Sequence, residues 1–538
     1  MGFVNRIIQS LEVTHNPNLT LIEQLIANDD LLPVEPEKRT WRAYNYVAFW
    51  VADMFNINMW MIVSSMIQLG MSWWQAWICV WLGQGIATPF LVLNARPGAI
   101  FHVTFPIVNR TSFGMFGSLC NARAKQHSIW YGVQASIGGS CVLVMLRAMW
   151  PSIDDLPNSM PASSGTNTRD YLCFFLFWLI SLPVIWLPVH KVRHFFLVTP
   201  ILMPIASMTF LIWCIVKAHG IGPIVHQSST LHGSKLGWAM VVGTMSCVSN
   251  KVTLVTNAPD FASRARTPSA ALYPQLFASP LTASFVCLIG ILVSSSSQAI
   301  YGRAIWSPIE LLGNFLYDNP SKATRFGVWF ISASFVIAQV KLHVSVSFAV
   351  GCNRDASFLD GHEHFRELSN IRRGGYIAAT VGLVMCPWNL LKTSNEFTSY
   401  LSAYSVFLSS IAGVMVTEYY VVRKGHYNVK DLYNTRKDSW AYTAYIAGIL
   451  INAVGFAGAT GREVPLVATR IYELSFVTGF GVSAVVYWAL NRVFPVVGAA
   501  DTFEEIDVSQ YELKANGSQD IEEMDIDTKD AGSETASE

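Results

Sequence analysis

Residues 50–60 read WVADMFNINMW and lie in the middle of an apolar segment, 44–68, that is long enough to cross a bilayer. An Asp and two Asn at the centre of such a segment are expensive in hydrocarbon unless they face protein, water or a ligand. We therefore predict that the helix is interrupted here, where carbonyl oxygens and side-chain amides can contact a cation or solute. Asp53, Asn56 and Asn58 form the predicted cation path.

The rest of the chain has the composition of a membrane protein. Of its 538 residues, 52% are hydrophobic and only 13% are charged, and the apolar residues form long uncharged blocks. At about 20 nearly uncharged residues per crossing, the chain contains twelve candidate segments. They are 44–68, 72–94, 126–148, 171–189, 195–217, 236–256, 274–298, 326–351, 375–391, 397–422, 440–459 and 471–493. We predict an all-α membrane protein with twelve transmembrane helices.

The sixth segment, 236–256, is polar in the same way as the first. Small and polar residues occupy its centre, and Asn250 and Lys251 follow them. The lysine is expensive in a bilayer unless it is paired or used in a site, although its butyl chain also allows it to reach an interface. The string NAPDF at 257–261 is expected to close the helix.

Two interrupted helices in corresponding positions are the pattern of a secondary transporter built from inverted repeats. We predict a first repeat over about 44–217 and a second over about 236–422, with two additional C-terminal helices over about 440–493. An interruption is expected near Asn250 as well as near Asn56, and the substrate site is expected between the repeats.

The third segment offers a candidate surface for a flat ring. Trp130 and Gln134 are four residues apart, so they project from the same helix face. The indole can stack on a ring, while the carboxamide can pair with an N–H and a C=O on the ring edge. The alternative is a packed Trp with a Gln bonded to a neighbouring helix. Tyr400 and Tyr404, at the polar start of the tenth segment, indicate a gate.

The basic residues predict the orientation of the chain. They precede the first segment and recur in every second connection, which places both termini in the cytoplasm. Residues 1–43 are expected to be a cytoplasmic arm without a cleavable apolar core, so the first segment directs insertion. Residues 496–538 are acidic and poor in apolar residues, which predicts a disordered tail where regulators bind.

The remaining patterns argue against other classes of protein. Most of the nine cysteines lie inside the apolar segments without ligand spacing, so neither a metal site nor a disulfide frame is expected. No cofactor and no nucleic-acid partner is indicated. An enzyme is disfavoured because no nucleophile and base, and no metal-ligand set, share one depth. A nutrient sensor that does not transport and signals through the acidic tail remains an alternative.

Several strings resemble the nucleobase-cation-symporter family one, and in particular its fungal uracil, uridine and allantoin permeases. They are PEKRTW at 36–41, FNINMW at 55–60, WYGVQ at 130–134, NAPDF at 257–261 and NIRRG at 370–374. The resemblance extends over roughly residues 20–495 in order.

This resemblance implies the fold of the leucine-type sodium symporters, alternating access, and uptake of a nucleobase or related heterocycle at the plasma membrane. The coupling ion is expected to be a proton, with sodium as the alternative. Trp130 and Gln134 correspond to the family's ring stacker and edge binder, and Lys251 corresponds to its sixth-span lysine. Asn250 is included in the candidate substrate site.

The eighth segment departs from the family pattern. His343 stands near the position where the family has a ring-binding Asn. We include His343 in the predicted substrate site. The departure favours either an altered specificity or a divergent copy that transports nothing. Thiamine and nucleosides are the alternative substrates.

Overall fold

The structure is a computed structural model and describes residues 32–120, 123–186, 189–317, 320–352, 371–427, 432, 440–495 and 502–503. In this part of the chain the secondary structure is helical, apart from one isolated β-bridge between Trp41 and Ala265. The α-helices are α1 (Ala43–Met54), α2 (Ile57–Gln68), α3 (Trp73–Phe101), α4 (Phe105–Cys120), α5 (Arg123–Met149), α6 (Thr168–Trp186), α7 (Val189–Lys217), α8 (Gly233–Thr256), α9 (Ala258–Ala262), α10 (Pro268–Tyr301), α11 (Pro308–Asn314), α12 (Lys322–Cys352), α13 (Ile371–Val384), α14 (Ser394–Thr417), α15 (Ala441–Ala459), α16 (Leu466–Glu473) and α17 (Ser475–Val493).

The described helices include many that can cross a membrane. Eight are long and apolar enough by themselves, and the number rises to ten if each of two bent pairs, α1 with α2 and α16 with α17, counts as one span. Of the twelve predicted segments, those containing α8 and α13 do not reach this threshold. The polar residues of α8 lower its hydropathy, and α13 contributes only a short apolar stretch, Gly375–Val384.

The first predicted segment is broken, as its sequence indicates. α1 and α2 meet at an angle of 53° around residues 55 and 56. Asn56 begins α2 as its N-cap, and its Oδ1 accepts a hydrogen bond from the backbone N–H of Met59 at 3.0 Å. Its Nδ2 donates to the carbonyl oxygen of Asp53 at 2.5 Å. One side chain therefore bonds backbone groups on both sides of the break.

The prediction of an interruption near Asn250 is wrong. α8 runs without a break from Gly233 to Thr256, and the chain turns only at Asn257 before α9. The helix contains no proline, and its side chains find bonding partners on other helices, so the backbone has no need to unwind.

Two other boundaries differ from the sequence prediction. The ninth segment ends at Val384 and not at 391, because Cys386 adopts a left-handed backbone (φ 53°) and Pro387 begins a short 3-10 turn. The connection expected over 96–125 contains α4, which begins at Phe105. The backbone N–H of Phe105 donates to Oδ1 of Asp260 at 2.7 Å.

Residues 32–42 lie across one end of the helical bundle, which we call the arm end. The backbone of Trp41 pairs with Arg264 and Arg266, and the hydroxyl of Tyr46 donates to the carbonyl oxygen of Phe261 at 3.0 Å. The start of α1 is therefore attached to the segment that follows α8. The opposite end, which carries the loop between α15 and α16, is called the far end. Residues 1–31 and almost all of the predicted tail lie outside the described residues.

Small residues allow the helices that carry the site to approach closely. A Cβ on Gly139 of α5 would lie 2.5 Å from Cα of Phe174 on α6, and a Cβ on Gly98 of α3 would lie 2.5 Å from Cα of Pro259 on α9. Backbone contact at this distance excludes any larger side chain, so these glycines fix the spacing of the helices.

Candidate functional site

Trp130 lies in an aromatic stack with two tyrosines of α14. Its ring centroid is 6.1 Å from that of Tyr400, with 13° between the planes, and 6.0 Å from that of Tyr404, with 22° between the planes. Tyr400 and Tyr404 are one helical turn apart, so both rings project from one face of α14. This face of α14 meets the Trp130 face of α5.

The neighbourhood of this stack contains polar atoms that the described residues do not satisfy. Gln134 has no exposed surface, and neither its Oε1 nor its Nε2 has a hydrogen-bond partner among the described residues. The buried hydroxyls of Tyr400 and Ser405 also have none there. A buried amide without partners costs about 1–3 kcal/mol, so such a group is a candidate for binding a ligand or water.

α8 contributes to the same region through Thr253. Its hydroxyl is hydrogen-bonded to the hydroxyl of Tyr404. Asn250 lies three residues earlier on the same helix face, where its Nδ2 contacts the sulfur of Met59 at 3.2 Å and its Oδ1 has no partner among the described residues. We refer to Trp130, Gln134, Asn250, Tyr400 and Tyr404 together as the ring pocket.

Lys251 points in another direction. Its side chain is buried, and Nζ donates to Oε1 of Gln84 at 2.5 Å, to Oγ1 of Thr88 at 3.1 Å and to the hydroxyl of Ser279. These partners belong to α3 and α10, whereas the partners of Trp130 belong to α14. The structure therefore does not bring Lys251 into the ring pocket.

The buried lysine is also close to α1. Its Nζ lies 4.7 Å from the ring centroid of Trp50, and the ammonium interacts electrostatically with Asp53, which is 7% exposed. We refer to Asp53, Gln84, Thr88, Lys251 and Ser279 together as the lysine cluster. This arrangement places one negative and one positive group at the end of α1, against the break in the first span.

The other predicted residues have varied surroundings. Asn56 uses its amide to bond the backbone at the break, as described above. Asn58 is buried at 1% exposure, and its Oδ1 has no partner among the described residues. His343 falls within α12, but its side chain lies outside what the structure describes.

Sequence reasoning missed the partners that Lys251 finds on other helices. Gln84 and Thr88 lie one turn apart in the apolar middle of one helix, and Ser279 lies in another. Polar residues one turn apart in such a helix were a usable signal for an interhelical bond. Nothing local in the sequence identifies Lys251 as the donor to these residues.

The architecture and the site together define a class of protein. Apolar helices surround buried polar groups, the first span is broken, and a stacked indole lies one helical turn from an amide without a partner among the described residues. Binding groups enclosed by helices and placed beside a discontinuous span are typical of a membrane carrier.

Comparison with known proteins identifies the family. Residues 33–479 match the family model described as permease for cytosine/purines, uracil, thiamine, allantoin, and the chain belongs to this family. Its members are permeases and not enzymes.

Three known proteins illustrate the similarity. The chain is 41% identical to the allantoin permease of Saccharomyces cerevisiae over 507 residues, which cover 90% of this chain and 78% of that protein. It is 40% identical to the uracil permease of the same yeast over 503 residues, which cover 89% and 78%. The fold is similar to that of Mhp1, a nucleobase-cation-symport-1 family transporter solved in a closed conformation with bromovinylhydantoin bound. The TM-score is 0.63 at 17% identity, over 91% of this chain and 99% of Mhp1.

Proposed function

We propose that this permease imports a nucleobase or related heterocycle, of the kind represented by uracil and allantoin, by cation symport with alternating access. The observation that carries the proposal is the buried amide of Gln134, which lies one turn from Trp130 and has no partner among the described residues. Uracil and allantoin both present N–H and C=O groups, and a carboxamide can pair with the two kinds of group at once. The names of the two yeast relatives support this class of solute.

Binding of the ring requires the aromatic stack to open. A ring between Trp130 and a tyrosine needs about 7 Å between their planes, since each contact takes about 3.5 Å. The observed centroid separations of 6.0–6.1 Å are smaller. Entry of the solute therefore moves Tyr400 and Tyr404 away from Trp130, and their return closes the pocket over the solute.

The lysine cluster is the proposed place of coupling. A proton on Asp53 would leave the Lys251 charge without its counter-charge, so protonation changes the electrostatics at the end of α1. Because α1 continues through the break into α2, and Met59 of α2 contacts Asn250, this change has a direct structural route to the ring pocket. Asn58 and His343 stay in the proposal as cation-path and substrate residues, respectively, with sodium as the alternative coupling ion.

The proposed architecture has twelve spans, with a first repeat over about 44–217, a second over about 236–422 and two further spans over about 440–493. The fold of Mhp1 and the alternation of basic connections support it. In this arrangement the arm end faces the cytoplasm, as do residues 1–43 and the tail 496–538, and the protein resides in the plasma membrane.

Uptake measurements test the proposal. Labelled uracil is offered to a host that lacks its own permeases, with unlabelled uridine, allantoin, uric acid and thiamine as competitors, at two values of external pH. We expect concentrative uptake of one heterocycle, faster at the lower pH because proton symport is driven by the proton gradient. Labelled thiamine or uridine taken up instead would select the alternative substrates. Binding without accumulation of any of these solutes would indicate a sensor or an inactive copy.

A further inference from the structure

A second cavity lies at the far end, away from the ring pocket. It encloses about 640 Å³ and is open on one side. α14 forms one wall, α8 and α15 form others, and α16 lies across it after an 84° bend from α17. Its volume is within the range of about 300–1,000 Å³ that is typical of small-molecule sites. We call it the far-end cavity.

The walls of this cavity are held in place by close helix packing. A Cβ on Gly455 of α15 would collide with Ala468 and Tyr472 of α16. Arg470 links the same helix to α8, because its guanidinium lies 4.1 Å from the ring centroid of Trp238, and it also bonds Glu473 of its own helix at 2.6 Å. Packing between these helices therefore fixes the walls of the cavity.

Its lining is suited to a polar, uncharged solute. Thr398, Ser399, Ser402 and Thr469 supply hydroxyls, and the adjacent Arg462 and Glu463 supply one charge of each sign. Glu473 also lines the cavity, but its carboxylate is bonded to the guanidinium of Arg470 at 2.6 Å. A neutral molecule with both N–H and C=O groups can use both charges, whereas an ion would be repelled by one of them.

Tyr472 provides an independent sign of a ligand. Its side chain is 94% buried, being 6% exposed, and it lines the cavity. The hydroxyl has no hydrogen-bond partner among the described residues. A buried tyrosine hydroxyl usually has a partner, so this one is an unsatisfied polar group beside the cavity.

The cavity also lies behind the helix that carries the stacking tyrosines. Ser402 is two residues from both Tyr400 and Tyr404, which places it about 200° away around α14. Its face of α14 lines the cavity, whereas the tyrosine face meets Trp130. Movement of this part of α14 away from Trp130 is movement toward the cavity.

We infer that the far-end cavity is a second binding site for a small neutral amide, such as a ureide or a cyclic amide, and that its occupation slows uptake by blocking the displacement of α14. The effect on uptake rests on the proposed function, whereas the binding itself does not. A high concentration of such a solute therefore inhibits the permease at a site separate from the ring pocket.

Cysteine protection tests the binding. Ser402→Cys is introduced into the full-length permease with Cys386→Ser and Gln134→Ala, and a charged, membrane-impermeant maleimide labels intact cells in the presence of uracil or allantoin. The Cys386→Ser parent sets the background, and the Gln134→Ala change removes the predicted edge binder of the ring pocket. We expect at least one of the two solutes to slow labelling of Ser402→Cys about threefold or more.

Two controls make the result specific. Ser321→Cys, on an exposed far-end loop, is labelled at a rate that the solutes do not change. Tyr472→Phe removes only a hydroxyl and raises the solute concentration needed for protection about fivefold. Three results would overturn the inference. They are no labelling of Ser402→Cys, equal labelling rates with and without solute, and protection that Tyr472→Phe does not weaken. None of these outcomes depends on uptake, so failure here is distinct from failure of the proposed function.

A pair of substitutions tests the effect on α14. Ser402→Leu fills part of the cavity and is expected to lower the initial uptake rate at least threefold at an unchanged surface level and melting temperature. Ser402→Ala leaves the space open and is expected to lower the rate less than Ser402→Leu does. Equal rates for the two variants would refute the proposed blocking of α14.

Discussion

The ring pocket and the lysine cluster share α8 but differ in how their polar atoms are satisfied. Lys251 has three hydrogen-bond partners and a counter-charge, whereas Gln134 has none among the described residues. Buried polar groups whose hydrogen bonds are complete stabilise one arrangement of the helices. Buried polar groups without partners can instead bond a ligand. We therefore expect the ring pocket to recognise the solute and the lysine cluster to hold and sense charge.

The largest expected effect comes from removing the orphaned amide. Gln134→Ala, like Trp130→Ala, should abolish concentrative uptake, because the solute loses its edge contact or its stacking surface. Initial uptake rates and surface biotinylation measure the effect. Ser140→Ala, on the exposed side of α5, is the matched control and should transport normally. Normal uptake by Gln134→Ala would remove the distinction between the two regions.

The next effect concerns stability and not recognition. Lys251→Met leaves the buried oxygens of Gln84, Thr88 and Ser279 without their donor, and we expect a loss of about 2–3 kcal/mol in the free energy of unfolding. The double variant with Asp53→Asn should recover part of that loss, because residue 53 then carries no charge for the ammonium to stabilise. Lys217→Met, whose ammonium lies over Phe315 in a more exposed position, should lose under about 1 kcal/mol. Thermal unfolding of the purified proteins gives the comparison, and equal losses at the two lysines would contradict it.

Asn250 tests whether α8 takes part in recognition. Asn250→Ala removes an amide that has only a weak contact with sulfur in the structure, so stability should hardly change. The KM for the transported heterocycle should rise about fivefold to tenfold if the amide bonds the solute. Kinetics of labelled uptake provide the measurement. An unchanged KM would restrict the ring pocket to α5 and α14.

The smallest effect is expected at the break in the first span. Asn56→Ala removes an N-cap and should lower the unfolding free energy by about 1 kcal/mol. Asn56→Ser keeps an uncharged cap acceptor and should retain most of that energy. A loss equal to that of Lys251→Met would indicate that Asn56 belongs with the lysine cluster.

The sequence was most informative where a residue and its partner are near each other in the chain. Asn56 bonds Asp53 and Met59, three residues away on either side, so the break was predictable from 50–60 alone. The same reasoning failed at Asn250, because the partners of the polar residues in α8 come from α2, α3, α10 and α14. Local composition showed that those residues need partners but not that an intact helix could supply them.

The assignment of the site residues divides in the same way. Trp130 and Gln134 were recognisable as a pair because their spacing puts them on one face. The stack with Tyr400 and Tyr404 depends on how two distant helices meet, which spacing cannot specify. The role of His343 stays a prediction.

The joint between α1 and α2 is self-contained. The carbonyl oxygens of Val51, Asp53 and Met54 accept bonds from Phe55 N–H, Asn56 Nδ2 and Asn56 N–H. These bonds lie within the first span itself, so the break is held by residues 51–56 without a bond from a bound solute. Substrate preference can therefore change through side chains on other helices, while the break in the first span stays the same.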